Sequence, residues 1–245
     1  MSARRLYGLI GFPLGHTFSP GYFNAKFERE ETDAEYKAFP LSTVNELLQL
    51  PELYPHLSGL NVTTPYKEQV IALLDECDEV AATIGAVNCI KITDGKTKGY
   101  NTDIIGFEQS LRPLLSACID KAIVLGTGGA ARAVRYVLDK NQIPNISVSR
   151  EGKEDAITYS EMTHEIMDSH KLVINTTPLG MYPYAESYPP IPYDALSAEH
   201  LLYDLVYNPA LTTFMQKGKQ QGAMVKNGME MLEIQAEASW AIWNS

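Results

Sequence analysis

The sequence predicts an α/β protein with two domains, each built on a mostly parallel sheet. Strand-like apolar segments alternate with helix-like segments along almost the whole chain, and this alternation is typical of βαβ units. In the second half, a glycine-rich turn at residues 126–131 joins an apolar strand to a helix. The length of 245 residues suits one large domain or two modest ones.

The first half predicts short strands joined by helices and one hairpin. Its strands are expected at 6–11, 34–41, 59–62, 87–92 and Lys96–Tyr100. Asp94-Gly95 lies between the last two, and this dipeptide favours a tight hairpin turn. Thr43 and Glu46 have the spacing of a capping box. Thr64-Pro65 predicts an N-cap followed by proline at the first helical position.

The second half has the rhythm of a doubly wound sheet. Strands are expected at 121–125, Asn145–Ser149, 171–175, 201–205 and 223–226, with a helix at 131–138. Met229–Trp243 has apolar residues at helical spacing and should form a terminal helix whose long apolar stripe needs a surface to pack on. We expect residues 1–103 and the C-terminal helix, 228–245, to form one domain, and residues 104–227 to form the other.

The net charge of −10 at pH 7 argues against a nucleic-acid partner, because nucleic-acid-binding proteins normally have the opposite charge balance. The same charge repels anionic ligands, so a site for an anion needs local positive groups. No apolar stretch approaches the ~18 residues of a membrane span, and the N-terminus lacks the pattern of a signal peptide. We therefore expect a cytoplasmic protein with no membrane partner.

The cysteines and histidines do not predict a metal site. The three cysteines, Cys77, Cys89 and Cys118, form no C-x-x-C pair and are expected to be reduced thiols. The five histidines lack the spacing of a metal-binding motif. No metal is therefore expected in the functional site.

Residues 126–131, Gly-Thr-Gly-Gly-Ala-Ala, fit the G-x-G-x-x-A fingerprint of a dinucleotide-binding, Rossmann-type domain. The glycines allow the backbone to approach a pyrophosphate closely, and the N-terminus of the following helix offers N–H groups to it. The candidate pyrophosphate contacts are Gly126, Gly128, Gly129 and Ala130. The alternative is a plain glycine-rich turn between a strand and a helix.

The end of the next strand favours NADP over NAD. An NAD site usually has an acidic residue there, which hydrogen-bonds the ribose 2′-hydroxyl. This chain has Ser149-Arg150 instead, and a guanidinium pairs well with a 2′-phosphate. Lys153 and Arg132 would add positive charge, whereas the Glu151 carboxylate disfavours a phosphate. The predicted cofactor is NADP(H).

Four polar clusters follow strand ends in the first half, where open α/β sheets bind ligands. They are residues 17–19 (Thr-Phe-Ser), 61–67 (Asn-Val-Thr-Thr-Pro-Tyr-Lys), Asn88, and 101–103 (Asn-Thr-Asp). Together these groups would line a pocket for a polyhydroxylated molecule. Each residue also has an alternative, purely structural role. Ser19 and Asp103 would then only cap helices. Lys67 would only be a surface charge in the first turn of a helix, where a cation opposes the helix dipole.

Motifs spread over nearly the whole chain resemble the shikimate dehydrogenase family. They are Gly11-x-Pro13-x-x-His16-Thr17-x-Ser19-Pro20, Asn61-Val62-Thr63-x-Pro65-x-Lys67, Gly85-Ala86-Val87-Asn88, Gly99-x-Asn101-Thr102-Asp103-x-x-Gly106, the turn at 126–131, Asn175-x-Thr177-Pro178-Leu179-Gly180-Met181, Tyr203-Asp204-x-Val206-Tyr207-Asn208-Pro209, and Gly228-Met229-x-Met231-Leu232-x-x-Gln235-Ala236. Chance or mere similarity of fold would not reproduce so many motifs in one order.

The resemblance implies two α/β domains, an N-terminal substrate domain and a Rossmann-type domain, with the active site in the cleft between them. It implies that the last helix crosses back to the first domain. The implied reaction is the NADPH-linked reduction of 3-dehydroshikimate to shikimate, a step of aromatic amino-acid biosynthesis.

The resemblance also implies a role for each matching residue. Lys67 and Asp103 match the catalytic pair, in which the lysine ammonium stabilises charge on the carbonyl oxygen and donates a proton. The implied substrate contacts are Thr17, Ser19, Asn61, Thr63, Asn88, Tyr207 and Gln235. The implied cofactor contacts, besides the glycine turn, are Ser149, Arg150, Thr176, Thr177, Met181 and Gly228.

Three features depart from the family pattern. The first carboxylate-binding position is usually serine and is Thr17 here, which bears on discrimination between shikimate and quinate. Ser149-Arg150-Glu151 replaces the usual Asn-Arg-Thr/Ser, and the chain is short for the family.

Three alternative functions stay open. One is a quinate/shikimate dehydrogenase with mixed NAD and NADP use. Another is a non-catalytic ligand sensor on the same fold, which would be expected to lack Lys67 or Asp103; both are present. The third is a methylenetetrahydrofolate-dehydrogenase-like enzyme, which would not explain Thr17 and Ser19. The family includes monomers and homodimers, so the sequence leaves the oligomeric state open.

Overall fold

A computed structural model describes residues 4–15, 17–116, 119–152 and 156–245. Lys153, predicted to add charge near the cofactor, and Cys118, predicted to be a reduced thiol, lie outside the described residues. The chain divides into two compact units. The first comprises Met1–Thr102 and Ala236–Ser245, and the second comprises Asp103–Gln235.

The first unit is built on a six-stranded sheet. Its strands are β1 (Arg5–Gly11), β2 (Ala34–Pro40), β3 (Leu57–Val62), β4 (Glu76–Cys77), β5 (Cys89–Thr93) and β6 (Lys96–Tyr100), in the spatial order β2-β1-β3-β5-β6-β4. β5 is antiparallel to both of its neighbours, and the other pairs are parallel. The carboxyl ends of β1, β3 and β6 therefore share one edge of the sheet with the amino end of β5.

The turn between β5 and β6 is the hairpin that the sequence predicted. Asp94 and Gly95 have φ of 50° and 75°, and two successive positive φ values suit the right-handed twist of the flanking strands. Cys89 pairs with Tyr100 at the far end of this ladder. The hairpin thereby fixes the register with which the residues before β5 and after β6 meet.

The helices of the first unit are short except the first. They are α1 (Phe18–Arg29), α2 (Leu50–Leu53) and α3 (Glu79–Ile84), with 3-10 helices at Val44–Gln49 and Gln69–Leu73. The predicted capping box is confirmed, since the Thr43 and Glu46 side chains each accept from the other residue's backbone. α3 begins where the Asp78 carboxylate accepts from Val80 N, and it ends at Gly85, whose φ is 70°.

One local prediction is wrong. Thr64-Pro65 does not open a helix; instead Tyr66 N donates to Thr63 O at 3.0 Å and closes a turn. The next helical segment begins only at Gln69. Lys67 therefore follows this turn and precedes the next helical segment, so the predicted conflict between its charge and a helix dipole does not arise.

The second unit is built on a six-stranded, fully parallel sheet. Its strands are β7 (Ala122–Leu125), β8 (Asn145–Ser149), β9 (Ile157–Thr158), β10 (Leu172–Asn175), β11 (Leu201–Asp204) and β12 (Met224–Lys226), in the order β12-β11-β10-β7-β8-β9. Counted within this unit, the order is that of the doubly wound dinucleotide-binding fold. The strand order reverses between β7 and β10, and ligands of such sheets bind at the carboxyl ends on either side of that reversal.

Side chains of β7 contribute to two apolar cores, one on each face of this sheet. Ala122 and Val124 belong to one core with Phe107, whereas Ile123 and Leu125 belong to the other. This is the alternation that the pleat of a strand imposes. The helices are α4 (Asp103–Leu111), α5 (Gly129–Lys140), α6 (His164–Ser169), α7 (Thr213–Gln220) and α8 (Met229–Trp243).

α8 has the bounds that the sequence predicted, and its apolar side chains are divided between the units. Met231 packs in a core of the second unit, whereas Ala236 and Trp243 pack in a core of the first. Within the described residues, no helix is both long enough and apolar enough to span a bilayer.

Candidate functional site

The predicted polar clusters of the first unit lie at the shared edge of its sheet. Thr63 follows β3, and its backbone N donates to Ile10 O at 2.9 Å near the end of β1. Asn88 precedes β5; its N donates to Tyr100 O at 3.0 Å, and its carbonyl accepts from Val62 N at 2.9 Å. These bonds place the ends of β1, β3 and β6 and the start of β5 side by side.

Lys67 is held next to this edge by its backbone. Val87 N donates to Lys67 O at 2.7 Å, one residue before Asn88. The Lys67 side chain is neither fully buried nor fully exposed. A lysine on a turn anchored at a strand edge can present its ammonium to a ligand bound there.

The start of α1 is suited to an anion. Thr17 is the N-cap residue, but its side chain makes no capping bond to its own helix, and the first turn contains no acidic residue. The free N–H groups and the dipole at such a start favour a negative charge. Ser19 lies inside the helix and is buried, so the alternative that it caps the helix is wrong.

Asn61 sits in a buried hydrogen-bond network that the sequence did not reveal. Its Oδ1 accepts from the Tyr36 phenol at 2.8 Å, and its Nδ2 donates to Ser239 Oγ at 2.9 Å and to Asn88 O at 3.3 Å. All four residues are buried. The side chain of a predicted substrate contact is thus fixed in one orientation.

Asn88 belongs to the same network through Thr102. Its Oδ1 accepts from Thr102 N at 2.6 Å, and its Nδ2 lies 3.0 Å from Thr102 Oγ1. Thr102 Oγ1 in turn lies 3.1 Å from Ser239 Oγ. The neighbouring Asn101 donates to Ala86 O, while its Oδ1 is buried without a hydrogen-bond partner.

In the second unit, Asp103 is the first residue of α4 and is only 6% exposed. A carboxylate in a first turn is favoured by the helix dipole. Gln235 is 8% exposed, and its Nε2 donates to Leu232 O at 2.9 Å. Tyr207 follows β11 and is half-buried.

The glycine turn lies at the reversal of strand order in the second sheet. Gly126 follows β7 with φ of 116°, a value that L side chains rarely adopt, and a Cβ there would lie 2.5 Å from Thr176 Oγ1. A Cβ at Gly128, by contrast, would meet nothing within 4 Å. Gly128 is the N-cap of α5, and Gly129 and Ala130 form its first turn, which contains no acidic residue. The turn therefore fits a pyrophosphate next to the helix N-terminus.

The end of β8 has polar groups that suit the far end of a dinucleotide. The hydroxyls of Ser147 and Ser149 are buried, and neither has a hydrogen-bond partner in the structure. Such groups are costly unless something satisfies them. Arg150 and Glu151 follow and are exposed. The residues present thus fit the predicted cofactor, with Ser149 as an orphaned donor at the expected strand end.

The hydroxyls of the predicted cofactor-binding threonines after β10 donate hydrogen bonds to other groups of the protein. Thr176 Oγ1 donates to Leu125 O at 2.7 Å, and Thr177 Oγ1 donates to Asn175 Oδ1 at 2.7 Å. Asn175 also donates to Asp204 Oδ1 at 2.9 Å, across the paired ends of β10 and β11. These bonds shape the loop beside the glycine turn, so its backbone is better placed than its hydroxyls to contact a cofactor.

Met181 and Gly228 have different environments. Met181 is 45% exposed and can be covered by a ligand. Gly228 is buried, and a Cβ there would overlap the Leu205 backbone. The structure therefore explains the glycine at 228 by this close approach, whether or not a cofactor also touches it.

Asp204 is a buried acid to which the sequence analysis gave no role. It is 0% exposed, and burial raises its pKa from 3.8 to about 6, against the lowering effect of hydrogen bonds from Thr212, Val206 and Asn175. Because the folded state keeps the proton at a pH where the unfolded chain has lost it, this group stabilises the fold most below its unfolded pKa. That stabilisation is lost as the pH rises through about 6.

We expect Asp204→Asn to remove this dependence, since the amide resembles the protonated acid. Relative to wild type, the variant should gain ~3 kcal/mol in unfolding free energy between ~pH 4 and ~pH 7, measured by urea denaturation. Asp168→Asn is the matched control: Lys171 lowers the pKa of Asp168 from 3.8, so this group titrates below the tested range and the difference from wild type should stay nearly constant across it. A difference between Asp204→Asn and wild type that is constant with pH would contradict the assignment.

Two further findings delimit the site. Among residues 4–15, 17–116, 119–152 and 156–245, no group of three or more His, Cys, Asp or Glu side chains is arranged to hold a metal ion. A cavity of about 400 Å³ in the first unit is lined by Arg5, Tyr54, His56 and Asp94 among others, and includes none of the predicted site residues.

Comparison with known proteins gives one consistent family. Residues 9–90 match the model of the shikimate dehydrogenase substrate binding domain. The chain is 37% identical over 259 aligned positions to a shikimate dehydrogenase (NADP(+)) of Methanococcus maripaludis, covering 99% of this chain and 92% of that protein.

Solved structures agree. Shikimate 5-dehydrogenase from Thermus thermophilus, in complex with NADP(H) and shikimate, superposes with a TM-score of 0.85 at 28% identity, covering 98% of this chain and 93% of that one. Quinate dehydrogenase from Corynebacterium glutamicum, in complex with NAD, gives a TM-score of 0.86 at 26% identity, covering 98% and 93%.

Proposed function

The chain belongs to the shikimate dehydrogenase family, and from this we propose that it interconverts 3-dehydroshikimate and shikimate with NADP(H). The observation that carries the proposal is that the likeness extends over 99% of the chain and so includes the candidate site residues of both sheets. The polar edge of the first sheet suits a small polyol, and the glycine turn of the second suits a dinucleotide.

The first unit is proposed to recognise the substrate. The carboxylate would lie at the start of α1, where Thr17 and Ser19 supply hydroxyls and the helix supplies a positive dipole end. Because the net charge of −10 repels anions, a site for a carboxylate needs such a local positive potential. The ring hydroxyls would be bound by Asn61, Thr63 and Asn88 of this unit, together with Tyr207 and Gln235, which belong to the second.

Lys67 is proposed as the catalytic acid. When bound, NADPH supplies the hydride that reduces the ketone. The Lys67 ammonium stabilises the negative charge that grows on the carbonyl oxygen, and it donates the proton that completes the alcohol. In the reverse direction the amine accepts that proton. The family pattern assigns Asp103 as its catalytic partner.

The second unit is proposed to hold the cofactor. Gly126, Gly128, Gly129 and Ala130 would contact the pyrophosphate, and Ser149 and Arg150 would contact the adenosine end. Thr176, Thr177, Met181 and Gly228 would lie towards the nicotinamide. The orphaned Ser149 hydroxyl and the open space beside Gly128 support this arrangement.

An assay of the whole chain tests the proposal. The protein is mixed with shikimate and NADP⁺, and the absorbance of the reduced cofactor is followed over time. Turnover with this pair supports the proposal, whereas no turnover in either direction would overturn it. Parallel assays with quinate and with NAD⁺ test the second candidate, a quinate/shikimate dehydrogenase with mixed cofactor use. The likeness to a quinate dehydrogenase favours this candidate, and Thr17 bears on the choice between the two substrates.

We expect Arg150→Ala to weaken the preference for NADP. Loss of a charge-assisted contact to the 2′-phosphate should raise the KM for NADP about tenfold and leave the KM for NAD unchanged. Arg112→Ala is the control, since it removes another exposed guanidinium from the same unit. Equal effects of Arg150→Ala on the two cofactors would show that Arg150 does not read the phosphate.

A further inference from the structure

The phenol of Tyr36 lies between two predicted substrate contacts. It donates to Asn61 Oδ1 at 2.8 Å, and it also interacts with the Ser19 side chain, an interaction that partly offsets the rise in the phenol's pKa on burial. Burial raises this pKa well above its usual value, so the phenol is protonated and available as a hydrogen-bond donor at neutral pH.

The Asn61 amide has one satisfactory orientation. Its Nδ2 faces the Asn88 carbonyl at 3.3 Å, and a carbonyl can only accept, so reversing the amide would bring two oxygens together. Ser239 Oγ holds the same Nδ2 at 2.9 Å, and the Tyr36 hydroxyl supplies the proton for Oδ1. Asn61 Oδ1 has a second lone pair, through which it can accept from a ligand hydroxyl.

We propose that Tyr36 and Ser239 are positioning residues that hold Asn61 with its carbonyl oxygen towards a ring hydroxyl of the substrate. The inference rests on the proposed function and adds to it. The site discriminates between polyols through the Asn61 amide, and the orientation of that amide is set by two residues that do not themselves contact the substrate. Without the Tyr36 hydroxyl, Oδ1 loses the donor that faces it, and only the two bonds at Nδ2 still restrain the amide. Without the Ser239 hydroxyl, Nδ2 keeps only the longer bond.

The neighbouring strand offers a matched control. Tyr7 of β1 pairs in register with Tyr36 of β2, and both belong to the same aromatic cluster. The Tyr7 hydroxyl is also buried, but it has no hydrogen-bond partner. Tyr7→Phe and Tyr36→Phe therefore remove the same atom from the same core, and only the second breaks the bond to Asn61.

The test compares steady-state kinetics of the whole chain with these variants. We expect Tyr36→Phe to raise the KM for shikimate about tenfold, with the KM for NADP unchanged and with kcat less affected. The preference for shikimate over an analogue lacking one ring hydroxyl should also fall. Ser239→Ala should act in the same direction, and Tyr7→Phe should match wild type.

The outcomes separate this inference from the proposed function. If wild type does not turn over shikimate, the proposed function fails. If wild type is active and both Tyr36→Phe and Ser239→Ala have the kinetics of Tyr7→Phe, the positioning role is overturned while the function stands. Should Tyr36→Phe fail to fold, Ser239→Ala alone decides, since it removes one hydroxyl without changing the aromatic core.

Discussion

Lys67→Ala should lower kcat about 10²–10⁴-fold, the usual contribution of a positioned general acid, and should change the KM for shikimate much less. Hydride arrival places negative charge on an oxygen, and without the ammonium that charge has neither a stabiliser nor a proton source. An interaction made mainly in the transition state appears in kcat rather than in KM. Initial rates over a range of shikimate concentrations measure both.

Two companion variants sharpen this prediction. Lys67→Arg keeps the positive charge but does not release a proton near neutral pH, so partial recovery of kcat would separate charge stabilisation from proton transfer. Lys96→Ala removes an exposed lysine beside the β-hairpin turn and should behave as wild type. Near-normal kcat for Lys67→Ala, with an unchanged thermal unfolding curve, would show that Lys67 is not the catalytic acid.

Most strands of both sheets, and the last helix, were predictable because their sequences obey local rules, whereas the two-residue strands β4 and β9 were not predicted. Asn145–Ser149 and Met229–Trp243 have the predicted bounds, since each is a periodic apolar segment with clear ends. Asp94-Gly95 predicted its hairpin because few other dipeptides adopt two positive φ values. The glycine turn was recognisable because glycines at this spacing allow the tight turn and the close approach of the backbone that binding a pyrophosphate requires.

The failure at Thr64-Pro65 has a local cause. Serine, threonine and proline patterns fit a helix start and a turn about equally well, and here Tyr66 N bonds back to Thr63 O. Tyr66 is itself buried, and its phenol donates to Leu41 O at 2.6 Å. Packing of this side chain from the core side selects the turn, and nothing in the local motif reveals it.

The buried polar network was beyond sequence reasoning for a different reason. Tyr36 has the appearance of an ordinary strand aromatic, and Ser239 that of a small residue on a helix. Their importance comes from Asn61, which is 25 positions from one and 178 from the other. Asp204 belongs to a separate set of hydrogen bonds in the second unit, and there the sequence did offer a signal, because a carboxylate that ends an apolar strand needs partners if it is buried.

The largest expected loss of stability comes from Trp243→Ala. The indole is 5% exposed, stacks on Tyr7 with ring centroids 4.8 Å apart, lies 5.4 Å from Phe23, and donates to Ile90 O at 3.0 Å. Removing a buried aromatic of this kind typically costs ~3–5 kcal/mol. Trp243→Phe, which keeps the ring but loses the donor, should cost less. Urea unfolding followed by circular dichroism measures both.

Gly59 provides a test of the geometry behind that number. A Cβ at Gly59 would overlap the Trp243 indole nitrogen, so Gly59→Ala should be destabilising in wild type. In the Trp243→Ala background the obstacle is gone, and the added methyl group would enter the space that the indole vacated. The two substitutions should therefore be non-additive. The loss of unfolding free energy caused by Gly59→Ala should be smaller in the Trp243→Ala background than in wild type, by at least ~1 kcal/mol. Strict additivity would mean that the last residue of α8 does not pack over β3, and the large cost expected for Trp243→Ala would lose its physical basis.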